Sequence, residues 1–183
     1  DLCSKWNDIA HVGGNGIKLI KASDVEIRAI DWLWPGRIPF GKITLVTGDP
    51  GVGKSLFTQY VAGCVSNGTT FVGSHQRTTK GKVVFLGHED SLRDTTTPRL
   101  KVIGADLENI QFIAGETGFS FDDDLGRLKD LFTSEIDIRL LIVDPLSSYL
   151  GGKTDSYKDA DVRRVLTPLS ALADETGIAV IGI

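Results

Sequence analysis

Methionine is absent from this 183-residue sequence, and cysteine occurs only twice, at Cys3 and Cys64. Two thiols so far apart, with no short ligand spacing, exclude a disulfide framework and a cysteine metal centre. They predict a reduced, cytoplasmic chain. No apolar run reaches membrane-span length, and no charged-then-apolar leader opens the sequence, so no membrane partner is expected. A large basic excess is missing as well. The net charge of -4 provides no bulk attraction for nucleic acid, which leaves that role to local basic loops. What remains is ordinary for a globular protein, with 41% hydrophobic and 24% charged residues. That is enough for one α/β domain with a substantial core. No internal repeat is visible.

Against that background one stretch stands out, Gly48-Asp49-Pro50-Gly51-Val52-Gly53-Lys54-Ser55. It follows the Gly-x4-Gly-Lys-Ser pattern of a phosphate-binding loop. Glycines let the backbone close on a phosphate, and the loop N–H groups together with a helix N-terminus form an anion nest. Lys54 would reach the β- and γ-phosphates, Ser55 would ligate Mg2+, and Leu56 closes the expected nucleotide-binding stretch. The flanks agree. Ile43–Thr47 reads as a buried parallel strand, and Leu56, Tyr60 or Phe57, Val61 and Cys64 recur at helical spacing until Asn67-Gly68.

Before the loop, Ile17–Ile20 reads as a short edge strand. A short helix from Ser23 or Asp24 is expected to carry Val25, Ile27, Ile30 and Leu33 inward. The Trp34–Lys42 connector is expected to pack its aromatics beneath the loop strand, with base stacking as the alternative. Thr69–Gly81 is a solvated loop or a ligand- or subunit-facing one. Further strands are predicted at Val83–Leu86, Ile110–Ile113, Leu140–Val143 and Ile178–Ile183. Helices are predicted over Thr95–Ala105, with Pro98 pushing the start towards Thr97, and after Asp122-Asp123-Asp124. Those three carboxylates read as cap and dipole partners or as a metal cluster. A last helix carries Val162, Val165, Leu166, Leu169, Leu172 and Ala173 on one face, with a kink or break expected at Pro168. Strands alternating with helices predict an α/β fold, a mostly parallel sheet with helices on both faces.

Ligands of a parallel sheet lie off its carboxyl strand ends. That rule gathers the glycine loop, Gly87–Asp90 and Asp144 onto one edge. Asp144 ends an apolar strand, as a Walker B aspartate does, and would hold Mg2+ opposite Ser55; the same residues also fit a plain Asp-Pro turn. Glu89 is the candidate for activating the attacking water, and Asp90 is its rival. His88 suits a packing or hydrogen-bonding role. Arg163, Arg164, Lys153 and Lys158 are interleaved with Asp155, Asp159 and Asp161, so a balanced solvated face competes with phosphate contact.

Ile38–Lys42, the glycine loop and Leu86-Gly87-His88-Glu89-Asp90 together resemble the RecA-type P-loop AAA ATPases. Val143–Gly152, Asp155–Arg163 and Leu166–Leu169 are similar to the RepA-like branch, known from plasmid and phage replicative helicase-like proteins. The resemblance spans residues 25–183 and leaves 1–24 as an N-terminal extension. It implies a RecA-like P-loop NTPase core, ATP with Mg2+, catalytic Glu89 and Lys54, and a homo-oligomeric, hexameric ring. It also implies DNA-stimulated ATPase or helicase work on single-stranded DNA. The family continues past the last strand with a sensor segment and a basic finger that this sequence lacks. The core is therefore expected to be incomplete at its C-terminus, a piece of a longer chain and weakly active alone. Two alternatives stay open, a P-loop kinase of a small acceptor and an ATP-dependent assembly switch with little turnover.

Overall fold

The computed structural model describes residues 11–12, 18–87, 90–113, 119, 121–135, 137–149 and 159–183. The chain divides into two units, Asp1–Ile30 and Asp31–Ile183. In the first, β1 (His11–Val12) pairs antiparallel with β2 (Lys18–Leu19), where the short edge strand was expected. The helix expected from Ser23 does not form. A single 3-10 turn covers Ala22–Asp24, and Val25, Ile27 and Ile30 are exposed. Val25 and Ile27 stand two residues apart and cannot share a helix face, and β-branched residues gain little from a helix without tertiary contact.

The second unit opens with an antiparallel pair, β3 (Trp32–Trp34) and β4 (Ile38–Pro39), so Leu33 is buried on a strand and not on a helix. Then β5 (Ile43–Leu45) leads through the glycine loop into α1 (Lys54–Asn67), followed by β6 (Lys82–Leu86). A π-helical turn over Leu92–Thr96 runs into α2 (Thr97–Ile103), which starts where Pro98 dictates. The rest is β7 (Ile110–Phe112), α3 (Phe121–Ser134), β8 (Ile138–Val143), α4 (Asp159–Thr176) and β9 (Ala179–Gly182). The break expected at Pro168 does not occur; α4 runs through it as one helix.

Five strands form one parallel sheet in the order β5-β9-β8-β6-β7. The central three are buried on both faces, which is why they read as unbroken apolar runs. Along them the side chains alternate strictly. Val83, Phe85, Leu140, Ile142, Ala179 and Ile181 join the core that includes Val61, Val65 and Leu100 of α1 and α2. Val84, Leu86, Leu141, Val143 and Val180 join the opposite core with Leu128 and Phe132 of α3 and Val165, Leu169 and Leu172 of α4. Helices therefore cover both faces, as a RecA-like P-loop NTPase core requires. The loop strand itself differs from expectation: β5 lies at one end of the sheet order, and Leu45 is exposed.

The Trp34 side chain belongs to this core. It stacks on Phe71 at 4.4 Å between centroids and 5° between planes, with Phe57 and Tyr60 of α1 alongside. Trp34 thus packs on Phe71 and on the aromatic residues of α1. The Thr69–Gly81 segment is pinned rather than simply solvated: Phe71 and Thr78 are buried, the Thr78 hydroxyl donates to Leu33 O, and Arg77 Nε donates to Gly68 O. At its end, the Lys80 ammonium beside Asp106 holds that carboxyl below its ordinary range, aided by the Glu108 N–H and the Asn109 amide.

Candidate functional site

Because all five strands run the same way, their carboxyl ends share one edge. The glycine loop leaves β5 there, Gly87 follows β6, and Asp144 follows β8. Val46 N–H donates to Gly182 O and Asp144 N–H to Leu86 O, which extends the ladder to the start of each functional turn. Gly51 and Gly53 hold φ of 80° and 92°, a region that a Cβ disfavours. Gly53 is also the N-cap residue of α1. The Phe57 N–H closes the first turn onto Gly53 O. Lys54 curls back across the loop, its Nζ donating to the carbonyls of Gly48 (2.9 Å) and Asp49 (3.0 Å). The loop residues from Gly48 to Gly53 are exposed, whereas Lys54 and Ser55 are half-buried.

Ser55 and Asp144, 89 positions apart, line the same cavity of about 20 Å³ with Gln59, Phe85, Gly87, Asp90, Thr96 and Phe112. That volume admits one or two occupants of about the size of a water. The Gln59 carboxamide oxygen is buried with no hydrogen-bond partner. The polar side-chain atoms of the lining are oxygens with the exception of the Gln59 amide nitrogen: hydroxyls, carboxylates and an orphaned carbonyl. Such a set suits a hard cation such as Mg2+, which keeps several waters and needs only one or two carboxylates. The described residues hold no cluster of three or more His, Cys, Asp or Glu, so a metal here would depend on phosphate and water for its remaining ligands.

Gly87 fixes the geometry of this edge. Its φ is 77°, and a Cβ would stand 2.9 Å from Asp144 O and 3.0 Å from the Tyr149 hydroxyl. The Asp144 carbonyl cannot yield without shifting the β8 end. Gly87→Ala is expected to destabilise the fold by about 2 kcal/mol or more, from positive-φ strain plus overpacking, read as a lower urea midpoint.

Asp90, the rival to Glu89, is ion-paired with Arg99 at 2.6 Å, which ties the turn after β6 to α2. Glu89 and His88 lie outside the described residues, as do Lys153, Asp155 and Lys158. Asp122, Asp123 and Asp124, expected ahead of the helix, lie inside α3, which already starts at Phe121; of their side chains only that of Asp124 is described, and it pairs with Arg127 three residues on. Arg163 and Arg164 are exposed on α4. A second, more open recess of about 360 Å³ is lined by Leu56, Asp94, Thr95, Pro98, Arg99 and Val102. The Ser91 hydroxyl, and after it that of Thr95, holds the Asp94 carboxyl below its ordinary range.

Sequence reasoning missed Gln59, Thr96 and Arg99. The apolar stripe on α1 was placed through Leu56, yet Leu56 is 53% exposed while Thr58 and Gln59 are buried. The missing signal is the direction of the sheet, which decides the face that α1 buries.

The sequence model of a family described as AAA domain matches residues 18–183. The chain belongs to the AAA domain family. No curated protein matches the sequence. Membership in the AAA family carries ATP binding and hydrolysis. A glycine loop leaving a parallel sheet is a part that such chemistry uses. No helix among the described residues is long and apolar enough to cross a membrane.

Proposed function

We propose that this AAA domain is a RecA-type ATPase of the RepA-like branch, which couples Mg-dependent ATP hydrolysis to a DNA-directed process as a DNA-stimulated ATPase or replicative helicase. Residues 25–183 form the ATPase domain and 1–24 an extension. The observation that carries the reading is the convergence of Ser55 and Asp144 on one cavity beside the glycine loop. The N–H groups of Gly48–Ser55 cradle the phosphates. Lys54 transfers its ammonium from the loop carbonyls to the β- and γ-phosphates. Ser55 and Asp144 would hold Mg2+, which supplies charge neutralisation at the phosphate oxygens. Glu89 orients the attacking water. The apolar walls of Leu56, Pro98 and Val102 offer the base a seat. Assembly into a homo-oligomeric ring and single-stranded DNA as partner come from the resemblance of Val143–Gly152, Asp155–Arg163 and Leu166–Leu169 to that branch, and a cytoplasmic setting from the two widely separated cysteines.

The test is steady-state Mg-ATPase of the protein with and without single-stranded DNA, beside a Glu89→Gln variant. The expected result is a rate that DNA raises and that the variant loses by about 10²-fold or more while it still binds ATP. A rate indifferent to DNA would redirect the reading to an assembly switch, or to a kinase if turnover requires a small acceptor.

A further inference from the structure

Gln59 is a polar residue buried on α1. Ala62, Gly63 and Ser66 share its side of the helix, and the cavity it lines sets the rings of Phe85 and Phe112 beside the polar Thr96, Asp90 and Asp144. The residue is 3% exposed, and its carboxamide oxygen finds no donor. An orphaned buried acceptor loses its hydration without gaining a partner, a penalty that a leucine of similar size would avoid. Gln59 also stands four residues after Ser55, so the two side chains lie one above the other on the same helix face. Both line the cavity that Asp144 and Asp90 close, of about 20 Å³. That leaves room for a water beside a small cation.

We infer that Gln59 is a positioning residue for the cation: its carboxamide oxygen accepts a hydrogen bond from a water held by the Mg2+ that Ser55 and Asp144 bind. The inference rests on the proposed metal site and adds a residue to it. An outer-shell acceptor orients the waters of a cation that gives up its hydration reluctantly, so it tunes metal affinity without touching the nucleotide. The penalty of the unpaired oxygen is then offset when the metal binds.

The experiment is binding of a non-hydrolysable fluorescent ATP analogue, first in EDTA and then through a Mg2+ titration. Gln59→Leu is expected to leave the EDTA affinity within about twofold of the parent and to raise the Mg2+ midpoint about tenfold, the loss of one charge-assisted hydrogen bond. Gln59→Glu restores an acceptor and should bring the midpoint back to the parent value or below. The thermal midpoint of Gln59→Leu in EDTA should hold or rise, because an unpaired polar group has left the core. A parental Mg2+ midpoint in Gln59→Leu overturns the inference, and so does an equal loss of affinity with and without metal. Ser55→Ala and Asp144→Asn separate the two levels. If they move the midpoint and Gln59→Leu does not, Gln59 alone is misassigned; if they do not, the inference falls with the metal site itself.

Discussion

Replacing Lys54 by alanine is expected to cut ATP turnover by about 10³-fold and to weaken nucleotide binding, with the fold intact. The ammonium already rests at the loop, donating to Gly48 O and Asp49 O. Moving it onto phosphate exchanges two hydrogen bonds to neutral carbonyls for charge-assisted bonds to an anion, which are roughly twice as strong. The alanine variant forfeits that gain, and it forfeits more in the transition state, where charge accumulates on the transferred group. Its effect on stability should stay below about 1.5 kcal/mol, because the lost bonds lie on an exposed loop. Turnover, nucleotide affinity and the thermal midpoint measured on one preparation check all three statements. An unchanged rate would remove the loop from the chemistry.

Asp144→Asn is expected to lower turnover by about 10²-fold at moderate Mg2+, with partial recovery at high Mg2+. The substitution keeps shape and removes only charge, so the expected defect is in holding a cation opposite Ser55 and not in folding. The backbone supports this separation: Asp144 N–H pairs with Leu86 O and Ile183 N–H with Val143 O, and neither bond involves the carboxylate. A Mg2+ titration of the rate reads the effect. A uniform loss at every Mg2+ concentration would give Asp144 a different role.

The glycine loop, the strand before it and the helix after it were legible in the sequence because their rules are local. Gly51 and Gly53 adopt φ of 80° and 92°, which glycine tolerates. The Gly68 cap ends α1 where Asn67-Gly68 predicts. Apolar runs at 83–86 and 140–143 announced strands buried on both sides, and the placement of Asp144 beside the loop followed from the rule for parallel sheets. The helix predicted after Ser23 failed because a pattern of apolar residues is only an offer of burial, and Ile27 at 97% exposure has no taker. Leu56 is exposed instead of buried for a related reason. Periodicity fixes the repeat of a helix to about 3.6 residues, but its phase is set by the sheet it packs on.

The sequence by itself therefore determined the chemistry available: a glycine loop of the phosphate-binding pattern, a hydroxyl and a carboxylate of the kind a hard cation takes, and the alternating α/β order that makes a parallel sheet. Only the tertiary structure decided which groups meet. Gln59 enters the Ser55–Asp144 cavity, Asp90 is drawn to Arg99, and Gly87 must lack a side chain, because strands distant in sequence end side by side. Contact of that kind depends on strand order and on which face each helix turns inward, and neither is written in any short stretch of residues.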